Sequence, residues 1–195
     1  MTPARFVFEE NADAYDRWFD QNPGTFQEQL RLLRKVVPSD GINLEIGVGS
    51  GRFARPLGIV CGIDSSTSLL RIAKGREIEV VTGEGEHLPY RGRTFDLVLM
   101  MTVVCFLDDV AAAFSEAGRV LVHSGILVVG FLERDGAIAR QYSPEDVKGR
   151  FLRYAKFRTL EEVSGYFSQA GFQEITVRSR VRGFCVMTGM NAGPA

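Results

Sequence analysis

The sequence predicts an α/β fold: a mainly parallel sheet with helices on both faces. Three observations carry that expectation. Short, near-continuous apolar runs recur at "INLEIG" (42–47), "IVCGID" (59–64), "IEVVT" (78–82), "FDLVLMM" (95–101) and "ILVVGF" (126–131). Strands without polar alternation are buried on both sides. Segments with helical spacing and capping residues lie between them, as in repeated strand–helix units. Three glycines at alternate positions, in "LEIGVGSGRFA" (44–54), stand directly behind the first strand.

Each element has its own signal. "ADAYDRWFD" (12–20) reads as a short helix with Tyr15, Trp18 and Phe19 on one aromatic flank. Residues 25–37 place Phe26, Leu30, Leu33 and Val37 on one helical face, and "PSDG" (38–41) stops them. "SSTSLLRIAKG" (65–75) opens with capping hydroxyls and closes with glycine. "DDVAAAFSEAGRVLV" (108–122) sets acidic caps before a helix whose Val110, Ala113, Phe114, Ala117 and Val120 share a face. Residues 132–158 are polar, basic and aromatic without a period, which suggests a substrate loop or lid. Thr159 and Glu162 form a capping box for "LEEVSGYFSQA" (160–170). "FQEITVRS" (172–179) and "RGFCVMTG" (182–189) are close enough to pair as a hairpin.

Composition excludes several classes. The 195 residues suit one domain of ordinary size, with 45% hydrophobic and 24% charged residues, as in globular chains. A formal net charge of −1 gives no field for phosphate backbones, so no nucleic-acid partner is expected. No window of uncharged apolar residues is long enough to cross a membrane, and "MTPARFVFEENADAYD" lacks the pattern of a signal peptide. Cys61, Cys105 and Cys185 are three widely spaced cysteines in apolar runs, which suggests reduced thiols and a cytoplasmic setting. With no CxxC and only His87 and His123, no metal site is expected.

The glycines point to a nucleoside. At the carboxyl edge of a first parallel strand they let the backbone turn and approach a bound nucleotide. Asp64 ends the next strand, where a carboxylate would hold a ribose diol. The spacing is E-x-G-x-G-x-G, beginning at Glu45, and differs from the G-x-G-x-x-G that serves a pyrophosphate. In "GEGEHLPY" (83–90), Glu84 could accept from the exocyclic amine of adenine and the Gly85 N–H could meet a ring nitrogen.

At these residues the chain resembles the class I S-adenosylmethionine-dependent methyltransferases. It is most similar to the small-molecule branch that includes ubiquinone/menaquinone-biosynthesis type enzymes. "LEIGVGSGRFA" looks like the family's first motif, and "GIDSS" like its acidic second-strand end. "GEGEHLPYRGRTFDLVLMM" resembles its adenine loop and fourth strand, and "AFSEAGRVLVHSGILVVG" the helix and strand that follow. The resemblance implies a three-layer Rossmann-like sheet of order 3-2-1-4-5-7-6 with strand seven antiparallel. It divides residues 1–195 into an N-terminal helical lid (1–40), a cofactor-binding core (41–131), a substrate or lid insertion (132–158) and a C-terminal helix and hairpin (159–195).

It further implies S-adenosylmethionine as cofactor and S-adenosylhomocysteine as product. Glu45 would sit near the methionine amino group, with Gly47, Gly49 and Gly51 alongside. Asp64 would take the ribose hydroxyls, Ser65 would lie beside the adenine, and Glu84 and Gly85 would take its edge. Met101 and Thr102 would approach the methionine part, and Tyr15 its carboxylate. The acceptor would be a small molecule, and the protein a monomer or homodimer. This branch commonly has a histidine after strand four; here Cys105 is near that place, so no histidine base is assigned.

A base is needed only where the acceptor must lose a proton. Asp108 and Asp109 read as helix caps, and Glu133, at the exit of strand five, is the catalytic candidate. Tyr15, Trp18 and Phe19 either roof the acceptor or pack the N-terminal helix. Arg178, Arg180 and Arg182 alternate along a strand and read as one solvated face, with an anion contact as the other possibility. A nicotinamide-dependent oxidoreductase and a non-catalytic S-adenosylmethionine-binding subunit are the alternative functions. The first would want G-x-G-x-x-G.

Overall fold

The computed structural model describes residues 3–38, 40–141 and 149–193. Its sheet has seven strands: β1 (Asn43–Ile46), β2 (Cys61–Asp64), β3 (Glu79–Thr82), β4 (Phe95–Met101), β5 (Leu121–Leu132), β6 (Phe172–Val181) and β7 (Phe184–Asn191). Their order is β3-β2-β1-β4-β5-β7-β6. The pairs among β1 to β5 are parallel, and β7 runs antiparallel to both β5 and β6. This is the order and the reversal that the sequence resemblance implies.

Helices α1 (Pro3–Glu10), α2 (Ala12–Gln21), α3 (Pro23–Leu33), α4 (Thr67–Gly75), α5 (Val110–Val120), α6 (Ala137–Gln141) and α7 (Leu160–Gln169) complete the fold. Alternation along the strands divides the core in two. Leu44, Ile46, Val98, Met100 and Val129 pack with Phe114 of α5 and Phe167 of α7. Leu97, Leu99, Val128 and Val186 pack with Leu30 and Leu33 of α3 and Leu70 of α4. Both faces are therefore covered over the inner strands, which explains their unbroken apolar runs; β3, at the sheet edge, departs from the expectation and is mostly exposed.

Local signals set most boundaries. The Ser66 hydroxyl accepts from the Leu69 N–H at 3.2 Å and the Asp109 carboxylate from the Ala112 N–H at 3.0 Å, so each caps its helix. The capping box of α7 forms in both directions. Three expectations shift. A helix, α1, precedes "ADAYDRWFD" and packs through long-range contacts. The helix expected over 25–37 begins two residues earlier, at a proline in its first turn, and ends at Leu33. The glycine expected to close the helix after β2, Gly75, is the last residue of α4. β5 starts five residues before "ILVVGF" (126 − 121 = 5), because "VHSG" continues the strand through an irregular register between Phe95–Leu121 and Leu97–Ile126. Within 132–158, α6 and one 3₁₀ turn (Leu152–Tyr154) form; residues 142–148 of that insertion, and Ser39 of the "PSDG" turn, lie outside the described residues.

Candidate active site

A cleft of about 790 Å³ opens across the carboxyl ends of the parallel strands, where open α/β sheets bind ligands. Its floor is made where strands end and turn. Gly47, Gly49 and Gly51 all have positive φ, at 71°, 53° and 80°, so the loop after β1 needs residues without a side-chain penalty there. The three serve different neighbours. A Cβ on Gly47 would collide with Val103 beyond β4, and one on Gly51 would collide with Ile78 behind α4. One on Gly49 would lie 3.3 Å from the Tyr15 ring. Gly47 and Gly49 line the cleft, whereas Gly51 lets the loop pack on α4.

Two carboxylates lie beneath this loop. Asp64 Oδ2 accepts from the Gly49 N–H and Oδ1 from the Ser66 N–H, both at 2.9 Å. Burial raises its pKa against the lowering effect of those backbone donors. Glu45 is 2% exposed, and its Oε2 has no hydrogen-bond partner among the described residues. Burial, with the nearby Asp64 charge, pushes its carboxyl well above the usual range. A buried acceptor without a donor costs free energy, which a bound donor would relieve. Glu45 borders a small recess beside the main cleft, with Tyr15, Ser50 and Met101.

The other expected residues converge on the same cleft. Tyr15, Ser65, Glu84, Gly85, Met101 and Thr102 all line it. Burial first, then the Asp64 and Glu45 charges, raise the Tyr15 phenol, which stays protonated. Thr102 has φ 51°, a strained conformation for a β-branched residue, held by its N–H donating to Gly130 O at 2.7 Å. Such strain collects at functional sites. Glu84 is ion-paired to Arg5 of α1, so the adenine-edge candidate already touches the N-terminal helix. Cys105 also lines the cleft, but burial pushes its thiol up to about 12, which leaves it neutral.

Above the floor lies an aromatic roof. Phe8 of α1 stacks on Phe151 at 5.2 Å and meets Tyr15 and Phe106 edge-on at 5.3 and 5.0 Å. Trp18 of α2, Thr25, Glu28 and Gln29 of α3, and Asn22 between the two helices also line the cleft. Of the aromatic flank, Tyr15, Trp18 and Phe19 all line the cleft, and Phe19 also packs into the core. Side-chain bonds tie the roof down. The Glu9 carboxylate accepts from the Ser66 and Thr67 hydroxyls at 2.7 Å and from Ser68. Arg52 of the glycine loop bonds Asp16 and Asp20 of α2, and Arg76 joins Asp16 to Ser50 O.

Glu133 is placed elsewhere. It is 5% exposed, accepts from Arg180 Nε and Nη2 at 2.9 and 2.7 Å, and does not line the cleft. The turn at the end of β5 directs it toward β6, so the expectation that it faces the acceptor is not met. The arginine row also separates. Arg178 donates to Thr188, Arg180 pairs with Glu133, and only Arg182 reaches the cleft. The α3 residues were missed because their cleft face carries polar residues that a helix can equally show to solvent. Among the described residues no cluster of His, Cys, Asp and Glu could hold a metal ion.

These features define an α/β fold with a ligand-sized cleft at its strand ends, and comparison with known proteins gives the family. Residues 44–129 match the family described as a methyltransferase domain. The crystal structure of an S-adenosylmethionine-dependent methyltransferase from Thermotoga maritima superposes with a TM-score of 0.88 at 32% identity, covering 96% of this chain and 99% of that one. An uncharacterized protein of Methanocaldococcus jannaschii is 36% identical over 169 residues, 87% of this chain and 82% of its own length. A Mycobacterium tuberculosis relative, 38% identical over 182 residues, is longer: the chain spans 63% of it. The chain belongs to the S-adenosylmethionine-dependent methyltransferases. Among the described residues no helix is long and apolar enough to cross a membrane.

Proposed function

We propose that this methyltransferase acts on a small-molecule acceptor bound between the sheet and the aromatic roof. The single observation that carries the reading is the enclosure of the cleft by α1, α2, α3 and residues 149–152. A roofed cavity of this volume accommodates a cofactor and a compact acceptor better than a polymer. The net charge of −1 likewise supports no phosphate-backbone partner. In this reading the described parts of 1–40 and 132–158 that line the cleft, such as Phe8, Trp18 and Phe151, would cover the 41–131 core.

When bound, the cofactor supplies a sulfonium methyl that is already activated for transfer. The chain's part is to bind, orient and exclude water. Glu45 Oε2 would receive the methionine ammonium, and the ammonium would supply the missing hydrogen bond. Asp64 would hold the ribose hydroxyls, with Gly47 and Gly49 giving the backbone close approach. Ser65, Glu84 and Gly85 would flank the adenine, with Glu84 shared with Arg5. Tyr15 would donate its phenolic proton to the methionine carboxylate, and Met101 and Thr102 would border the reacting end through their backbone. Phe8, Phe106 and Phe151 would keep water away from the acceptor. No carboxylate base is assigned, so positioning provides the rate.

Calorimetry should show S-adenosylmethionine and S-adenosylhomocysteine binding, with nicotinamide dinucleotides far weaker. Asp64→Ala should fold normally and lose affinity by about 1.5–3 kcal/mol per ribose hydrogen bond removed. Labelled S-adenosylmethionine offered with a panel of small acceptors, with product mass as readout, tests the acceptor class. Transfer to RNA or to a protein, and to no small molecule, would overturn it.

A further inference from the structure

We propose that Arg182 recognises an anionic group, a carboxylate or a phosphate, on the acceptor. The inference rests on the small-molecule reading and deepens it. Of the three alternating arginines on the last hairpin, two have partners: Arg178 with Thr188 and Arg180 with Glu133. Arg182 lines the cleft and makes no hydrogen bond or ion pair through its side chain among the described residues.

Its placement is built rather than incidental. Val181 pairs with Phe184, so Arg182 and Gly183 form a two-residue hairpin loop. Their φ values are 52° and 88°, the left-handed pair that such tight loops require and that Asn, Asp or Gly adopts most easily. An arginine there bears local strain, in a hairpin that also carries two register shifts and a second left-handed residue, Glu174. The turn is fastened to the end of β5. Gly183 O accepts from the Glu133 N–H at 2.8 Å and Arg182 O from the Ile138 N–H at 3.3 Å. Gly136 and Gly183 meet so closely that a Cβ on either would clash with the other's backbone. The pairing of Glu133 with Arg180 holds the neighbouring arginine away from the cleft.

The surroundings strengthen an anion contact. Leu132, Ile138, Val181 and Phe184 line the wall beside Arg182, and a charge-assisted, bidentate bond gains strength against an apolar wall. Arg150, whose guanidinium bonds Asn11, is a second cation on the lining. Glu28 on α3 is one of several carboxylates on the same lining, with Glu86, Asp108 and Asp109 among the others. An acceptor held by Glu28 would be an amine, and this is the outcome the experiment must separate.

Trp18 is the single tryptophan of the sequence and lines the same cleft, so its fluorescence reports occupancy. The protein loaded with S-adenosylhomocysteine is titrated with phenylacetate, phenyl phosphate, the neutral phenylacetamide and the cationic phenethylamine. Either anion should bind at least about tenfold tighter than the amide, from one charge-assisted contact. Arg182→Gln should erase that margin and leave S-adenosylhomocysteine affinity unchanged, and Arg182→Lys should recover part of it. Phenylacetate ahead of phenyl phosphate identifies a carboxylate site, and the reverse a phosphate site. An anion preference that survives Arg182→Gln, or tighter binding of phenethylamine, overturns the assignment of Arg182 alone. Failure of wild-type protein to bind S-adenosylhomocysteine would instead overturn the cofactor site on which the proposed function stands.

Discussion

The floor and the roof of the cleft are held by different forces. Backbone makes the floor: strand ends in a parallel ladder, a loop whose glycines supply left-handed turns, and amides aimed at Asp64. Side chains reaching across long stretches of sequence make the roof: Glu9 to residues 66–68, Arg5 to Glu84, Asp16 and Asp20 to Arg52, and four aromatic rings, Phe8 stacked on Phe151 and edge-on to Tyr15 and Phe106. A backbone-built floor is rigid and insensitive to most surface changes. A roof fastened by polar side chains can open locally without unfolding the sheet. That division suits an enzyme that must admit and release a cofactor.

The largest expected effect contrasts two glycines of the floor. Gly51→Val places a β-branched residue at φ 80° and drives it into Ile78, so it should cost roughly 3 kcal/mol or more. Gly49→Ala meets only the Tyr15 ring, at 3.3 Å. It should cost about 1 kcal/mol for the left-handed backbone and show its main effect in weakened S-adenosylhomocysteine binding. Urea denaturation and calorimetry on both variants check this. Equal losses of stability would break the distinction between packing and lining glycines.

The next effect concerns Glu45, whose folded-state pKa lies above its ordinary 4.5. The folded state holds that proton more tightly than the unfolded chain. Its contribution is therefore fully present below pH 4.5 and is lost as pH rises through the raised folded value. Glu45→Gln removes the buried charge, so the cofactor-free variant should gain about 1–2 kcal/mol at pH 7 and lose that pH slope. The same change should weaken cofactor binding by about tenfold or more. Thermal unfolding from pH 5 to 8, with and without S-adenosylhomocysteine, measures both. A destabilised cofactor-free variant would show that Glu45 has a structural partner.

This contrast also explains what the sequence made legible. The strands, the glycine loop, Asp64 and the capped helices follow from neighbours a few residues apart, and "LEIGVGSGRFA" or T-x-x-E states them outright. The roof follows from pairs such as Glu9 with Ser66, or Arg52 with Asp16, whose members look like ordinary solvated charges when read along the chain. α1 was missed for the same reason, since a helix of eight residues has little intrinsic stability and is ordered by what it touches. Glu133 was misdirected because position at a strand exit does not fix which way the next turn aims a side chain. Register between β6 and β7 decides that Arg180 meets it.

The smallest expected effect falls on the latch of α1. Glu9 accepts from Ser66, Thr67 and Ser68 at the N-terminus of α4, and these bonds, Ser66 foremost, lower its carboxyl to about 2 from 4.5. The helix end favours a negative charge there, by about 1 kcal/mol once solvent screening is allowed for. Because the folded pKa is depressed, that stabilisation is present above pH 4.5 and is lost as pH falls toward about 2. Glu9→Gln keeps the shape and removes the charge. It should leave the global unfolding midpoint within a few tenths of a kcal/mol of wild type, since α1 opens as a local unit. Release of S-adenosylhomocysteine, followed through Trp18 fluorescence, should quicken about fivefold at pH 7, the rate equivalent of about 1 kcal/mol. An unchanged release rate, with no faster proteolysis within residues 1–22, would show that α1 is fixed to the core by Phe8 and its aromatic neighbours and that the carboxylate latch is incidental.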